Sequence, residues 1–217
     1  MKKKKELSKN YTEKSSEEIN GINENELNFY LDKNEILAQK YAISTAIYIC
    51  YYIRLSNKND KIEFQRIMND IFDIDFLSYP THLQKELIQN IKLEKGIAPN
   101  HSLKLNLMIC FIGIMTRIAV FLVGPPGCSK TLCFNLLKKV MKGNHSESNY
   151  WKQYPQLVVT SYQGSLTSTS KGIINTIKDA QQKLKILMKK NKDSNKKIIV
   201  CVFIDEIGLC ENSPFNP

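Results

Sequence analysis

The sequence predicts an α/β fold, in which a parallel sheet that is incomplete in strands follows a helical segment. Three observations predict it. A wholly apolar run, Ile118 to Val123, leads through "GPPGCS" into a helical pattern. A second apolar run, "KIIVCVFIDE" from Lys197 to Glu206, ends in two carboxylates. Ahead of both, apolar residues recur at helical spacing with no strand pattern between them.

Taken in order, residues 1–25 are charged and polar, with too little apolar periodicity to support a core, and read as a disordered basic tail. "EILAQKYAISTAIYICYYIRL", Glu35 to Leu55, reads as a core helix and "DKIEFQRIMNDIF", Asp60 to Phe72, as an amphipathic one. "THLQKELIQNI", Thr81 to Ile91, follows Pro80 and opens on a threonine cap. "GIAPNH" is a turn, and "SLKLNLMICFIGIMTR" a helix capped by Ser102. Ile118 to Val123 then has the continuous apolarity of a parallel strand buried on both faces. The loop Gly124 to Ser129 and a helix to about Met141 follow. "QLVVTSY" reads as a strand, Ser170 to about Met188 as a helix, and Lys197 to Glu206 as the strongest strand. Helices alternating with buried strands imply an α/β sheet.

A chain of 217 residues, 42% of them hydrophobic, holds one ordinary domain, with or without an extension. The formal charge of +10 comes largely from "MKKKKELSK" and from "KLKILMKKNKDSNKK", Lys183 to Lys197. Aromatic residues lie mostly elsewhere, so no stacking platform interleaves with the charge. The lysines therefore read as solvated tails and loops rather than a nucleic-acid surface. The six cysteines show neither a CxxC pair nor Cys/His ligand spacing, and several sit in apolar runs as small hydrophobes. That suits a reducing, cytoplasmic setting, in which the sequons at Asn100 and Asn144 are chance matches. No signal peptide is visible. Leu105 to Gly124 has the length of a membrane span, but Arg117 interrupts it and its β-branched second half ends in Gly-Pro-Pro-Gly. It reads as a buried helix followed by a buried strand, with no membrane span.

The loop "GPPGCSKT" is where chemistry is expected. Successive backbone N–H groups and a helix N-terminus converge on an anion in such a loop, and glycines let the chain curl close to phosphate oxygens. Gly124, Pro125, Pro126, Gly127, Cys128 and Ser129 would form the curl. Lys130 would reach the β/γ phosphates and Thr131 would offer a hydroxyl to magnesium. Ser129 stands where the pattern G-x-x-x-x-G-K-[ST] has its second glycine; at a helix start, ordinary helical torsions would suit serine. Taken alone, the loop also fits a glycine- and proline-rich turn between strand and helix. Taken alone, the acidic strand end fits an ordinary solvated carboxylate pair. Both halves in the right order point to a nucleotide site: Asp205 would hold Mg²⁺, directly or through water, and Glu206 would polarise the attacking water. Cys128 and Cys133 read as apolar filler, and His82, His101 and His145 form no cluster. Trp151 and Tyr154 are expected to pack near the "QLVVTSY" strand.

These motifs resemble the AAA+ ATPase superfamily. "VVTSYQGSLTSTSKGI", "VFIDEIGLCENSP" and the Ser129-Lys130 loop narrow the resemblance to the mysterin family of giant ubiquitin ligases with ATPase modules. That family also carries serine for the second glycine; Thr131 stands where it usually has serine. The resemblance covers roughly residues 35–217. It implies ATP and Mg²⁺ as cofactors, Walker A roles for Lys130 and Thr131, and Walker B roles for Asp205 and Glu206. It also implies neighbouring AAA+ modules and ubiquitin machinery as partners. The domain reading is then a tail at 1–25, a helical lead-in at 26–101 and a partial AAA+ P-loop NTPase core at 102–217. The role of Ser161, Gly164 and Ser165 within "SYQGS" stays open between a face toward a neighbouring module and a turn that shapes the loop.

The chain stops soon after Glu206, before any sensor strand, arginine-bearing strand, helical lid or zinc-binding ring. In the superfamily a further strand lies between the two assigned to Ile118–Val123 and Lys197–Ile204, so the expectation is a fragment or incomplete product with weak nucleotide binding and negligible turnover of its own. The alternatives are a module of a dynein- or midasin-like mechanical enzyme and a non-enzymatic ATP-binding scaffold.

Overall fold

The computed structural model describes residues 24–190, 197–212 and 214, with side chains from residue 34 onward and not those of 211 and 212. The expected tail at 1–25 falls almost wholly outside them. The chain divides into two compact units, Met1–Pro80 and Thr81–Pro217.

The first unit is helical. Helix α1, Glu24–Cys50, is followed by a 3-10 turn, Tyr52–Arg54, and by α2, Lys58–Phe72. The single helix expected over Glu35 to Leu55 therefore breaks at Tyr51, whose torsions (φ −127°, ψ −57°) are not helical. It is also less of a core helix than expected: Ser44, Thr45 and Tyr48 are buried, while Ile36, Leu37 and Ile43 are exposed. Aromatic rings make the core of this unit. Phe76 is fully buried and lies 5.8 Å from both Tyr52 and Phe64, with Tyr48 stacked on Tyr52 at 5.3 Å. Helix α2 starts where Asn57 Oδ1 accepts from the Asn59 N–H, and ends at Asp73 in the left-handed region. The Phe76 N–H donates to Asn69 Oδ1 at 2.8 Å, tying the following turn to the helix.

Helix α3 spans Ser78–Gln89. The sequence placed its start at a Thr81 cap after Pro80; instead Pro80 lies inside the first turn. Its missing N–H costs nothing there, because the first N–H groups of a helix have no internal partner.

In the second unit, α4, His101–Thr116, is apolar around most of its circumference, and Leu103, Leu107 and Met108 are fully buried. Its cap is Asn100, whose Oδ1 accepts from the Leu103 N–H at 2.8 Å, so the expected Ser102 cap lies inside the helix. Arg117 closes α4 in the left-handed region, and the chain doubles back so tightly that a β-carbon on Gly113 would collide with the Val120 side chain.

The segment that follows corrects the sequence reading. Ile118–Val123 joins no ladder, and Ile118, Phe121 and Val123 are 66%, 82% and 96% exposed. A strand exists only where a neighbouring strand takes up its N–H and C=O groups, and among the described residues none pairs with this segment; the Ile118 N–H turns back to the Gly113 carbonyl at 3.0 Å instead.

The loop then enters α5, Lys130–Val140, which packs against α4. A 3-10 turn, Gly143–His145, and a short helix α6, Asn149–Lys152, lead to β1, Gln156–Gln163. Helix α7, Ser170–Lys190, crosses to β2, Ile198–Asp205, and packs on both strands. The strands pair in parallel with Gln156 opposite Ile198 and Gln163 opposite Asp205. This is a βαβ unit whose sheet, among the described residues, has two strands. Every residue of β2 is half-buried rather than buried, because among the described residues only β1 pairs with it. Phe134 of α5 stacks on Phe203 of β2 at 4.0 Å and 6°. Trp151 and Tyr154 pack edge-on against Phe111 of α4, and the Trp151 indole donates to the Asn90 carbonyl at 2.8 Å. Among the described residues no helix is long and apolar enough to cross a membrane.

Candidate functional site

Residues far apart in sequence meet at the C-terminal ends of the two strands. Thr131 Oγ1 lies 3.1 Å from both carboxylate oxygens of Asp205, a separation of 74 residues along the chain. Helix α5 brings the threonine and β2 brings the aspartate. The Asp205 carboxylate also accepts from the Glu206 N–H at 3.0 Å, which fixes its orientation.

The loop itself is curled by two left-handed residues, Gly127 at φ 81° and Ser129 at φ 63°. The second overturns the reading that Ser129 takes ordinary helical torsions. Serine here carries the steric cost of the left-handed region, which glycine would not. The Ser129 carbonyl nonetheless begins the helix, accepting from the Cys133 N–H at 3.0 Å. Gly124 has no positive φ, but a β-carbon there would come within 2.9 Å of Cys128 Sγ. The Lys130 ammonium folds over the loop and donates to the Gly124 carbonyl at 2.7 Å and the Pro125 carbonyl at 2.9 Å. It also approaches Cys128 Sγ at 3.6 Å, so Cys128 faces a cation, whereas Cys133 is buried.

Two contributors, Asn106 and Ser168, were missed by the sequence reading, and Gly164, whose role it left open, is a third. Asn106, in the middle of α4, donates through Nδ2 to the Cys128 carbonyl at 2.8 Å and so anchors the loop from behind. A lone asparagine in an otherwise apolar helical run was the available signal. Gly164 donates its N–H to the Asp205 carbonyl at 2.8 Å, and the turn beyond it is closed by Ser168 Oγ, which accepts from the Ser165 N–H at 2.9 Å. Part of the "SYQGS" string thus shapes the end of the acidic strand. Glu206 leaves the ladder at φ 52° and is exposed.

A family model described as the RNF213 AAA domain matches residues 96–217. The class of protein is that of an AAA+ ATPase module, a class that binds nucleotide. The chain belongs to the RNF213 AAA domain family. It is 29% identical over 202 residues to the E3 ubiquitin-protein ligase RNF213 of Homo sapiens, covering 88% of this chain and 4% of that protein. It is 32% identical over 179 residues to the E3 ubiquitin-protein ligase rnf213-beta of Danio rerio, covering 79% of this chain and 3% of that protein. The resemblance to the mysterin-type ligases, read from the loop and the two strand-end strings, agrees with these relatives. The chain therefore spans only a few hundredths of the length of the proteins it matches.

Proposed function

We propose that the chain is the nucleotide-binding part of an AAA+ module and takes ATP with Mg²⁺ at the loop Gly124 to Thr131. The observation that carries this reading is the approach of Thr131 Oγ1 to the Asp205 carboxylate. A hydroxyl and a carboxylate at one point, beside a lysine and a curled loop, is the donor set of a hard divalent cation next to a phosphate. Magnesium, when bound, would spread the negative charge of the phosphates.

The rest of the work falls to the chain's own residues. The backbone of Pro125 to Ser129 would cradle the phosphates, with the start of α5 adding its N-terminal N–H groups. Pro125 and Pro126 have no N–H to give, so their part is to stiffen the approach. Lys130 would exchange the Gly124 and Pro125 carbonyls for phosphate oxygens, bringing a point charge to them. Glu206, exposed beyond Asp205, would accept a hydrogen bond from the attacking water and orient it. In a longer cytoplasmic parent with neighbouring AAA+ modules this arrangement would serve ATP hydrolysis. By analogy with the relatives' names, ubiquitin transfer would belong to that parent.

The test is the metal dependence of binding. A fluorescent ATP analogue titrated into the full chain is expected to bind more tightly with Mg²⁺ than with a chelator, and Thr131→Val is expected to abolish that difference. Equal affinity with and without Mg²⁺ in the parent sequence would count against the donor set.

A further inference from the structure

We propose that Cys110 and Cys133 are a peroxide-sensitive thiol pair whose reversible disulfide staples the loop-bearing helix α5 to α4. The two sulfur atoms lie 3.7 Å apart, 23 residues apart in sequence and on two packed helices. A disulfide needs about 2.0 Å, so the helices must close by roughly 1.7 Å or the side chains must turn toward each other.

The pair is asymmetric in the way that two-step oxidation requires. Cys110 is partly exposed, whereas Cys133 is fully buried. Cys133 also donates its S–H to the Lys130 carbonyl at 2.9 Å. Cys201 is the other thiol near Cys110, and burial pushes it up. Cys110, the more exposed sulfur of the pair, is therefore the one that peroxide reaches first.

The chemistry balances with hydrogen peroxide as oxidant. The Cys110 thiolate attacks one peroxide oxygen, the O–O bond breaks, and the hydroxide released takes up the proton that Cys110 gave away. The Cys133 sulfur then attacks the Cys110 sulfenic acid, the S–O bond breaks, and the Cys133 proton leaves with it as water. Two thiols lose two electrons and two protons; one peroxide becomes two waters.

The position gives this bond a consequence, which rests on the nucleotide reading above. Cys133 sits one helical turn beyond Lys130, and Asn106, one turn before Cys110, holds the Cys128 carbonyl at 2.8 Å. Drawing the first turn of α5 toward α4 displaces Lys130 and Thr131 relative to Asp205, so oxidation lowers affinity for Mg²⁺-ATP. A coupling of this kind is worth roughly fivefold or more.

The experiment treats the full chain with hydrogen peroxide, alkylates the remaining thiols and maps tryptic peptides without reduction. Cleavage after Arg117 and Lys130 separates Cys110, Cys128 and Cys133 onto different peptides. The expected product joins the peptide of Cys110 to that of Cys133, disappears on reduction, and fails to form in Cys110→Ser. A Cys110–Cys201 link, or oxidation of the sulfurs singly without a link, would overturn the pair. A Cys110–Cys133 bond that leaves the affinity for a fluorescent ATP analogue unchanged would overturn its regulatory role. If the reduced chain binds no nucleotide, the function proposed above fails while the peptide map still decides the pair.

Discussion

Gly164 and Glu206 are in backbone contact across the ends of the two strands. The Gly164 N–H donates to the Asp205 carbonyl at 2.8 Å, and a β-carbon added to Gly164 would collide with the Glu206 carbonyl oxygen and lie 2.8 Å from its carbonyl carbon. The only side chain this position accommodates is a hydrogen, because what it would strike is backbone and cannot swing aside. Gly164→Ala is therefore expected to shift the turn at Asp205-Glu206 and to destabilise the fold by roughly 1–3 kcal/mol. Urea unfolding of the full chain measures this; a loss below a few tenths of a kcal/mol would mean the two strand ends are not held in register by this contact.

Ser129 occupies a left-handed position at φ 63° without a side-chain cap bond. Relieving that strain with Ser129→Gly is expected to stabilise the loop by about 1 kcal/mol, offset in part by the greater freedom of glycine in the unfolded chain. Ser129→Val, β-branched and intolerant of this region, is expected to destabilise by more than glycine gains. Thermal or urea midpoints of the three chains test the ordering.

Phe121 and Val123 project from a segment without a ladder and are among the most exposed apolar side chains described. Such a surface favours self-association. The double substitution Phe121→Ser, Val123→Ser is expected to lower light scattering at high concentration while moving the unfolding free energy by no more than about 0.5 kcal/mol. A large loss of stability would show that these side chains are packed rather than exposed.

Trp151 is nearly fully buried, and its indole N–H satisfies the Asn90 carbonyl at 2.8 Å. Trp151→Phe keeps an aromatic ring against Phe111 but leaves that carbonyl without its donor. The expected cost is roughly 1–3 kcal/mol, read from urea unfolding.

Much of this was legible in the sequence, for identifiable reasons. Strands β1 and β2 and helices α5 and α7 fell within two residues of their predicted bounds, because each is long, periodic or uniformly apolar. Thr131 and Asp205 were paired in advance because the chemistry of the two motifs demands it. Ile118–Val123 misled for the opposite reason: its composition describes a strand, but a strand depends on neighbours that composition does not contain. The torsion of Ser129 and the break at Tyr51 are backbone facts that residue type alone underdetermines. The cap of α4 moved from Ser102 to Asn100 because both side chains can accept from first-turn N–H groups. The contacts of Asn106 with Cys128, and of Gly164 with Glu206, join distant segments and leave almost no local mark.

The central claim is that the loop holds nucleotide phosphate through Lys130. It is tested most directly by calorimetric titration of Mg²⁺-ATP into the full chain and into Lys130→Ala, with circular dichroism confirming that both are folded. Removing a charge-assisted contact to phosphate is expected to weaken binding roughly tenfold to a hundredfold. Equal affinity in the two chains would contradict the account, because the loop would then not be the phosphate site.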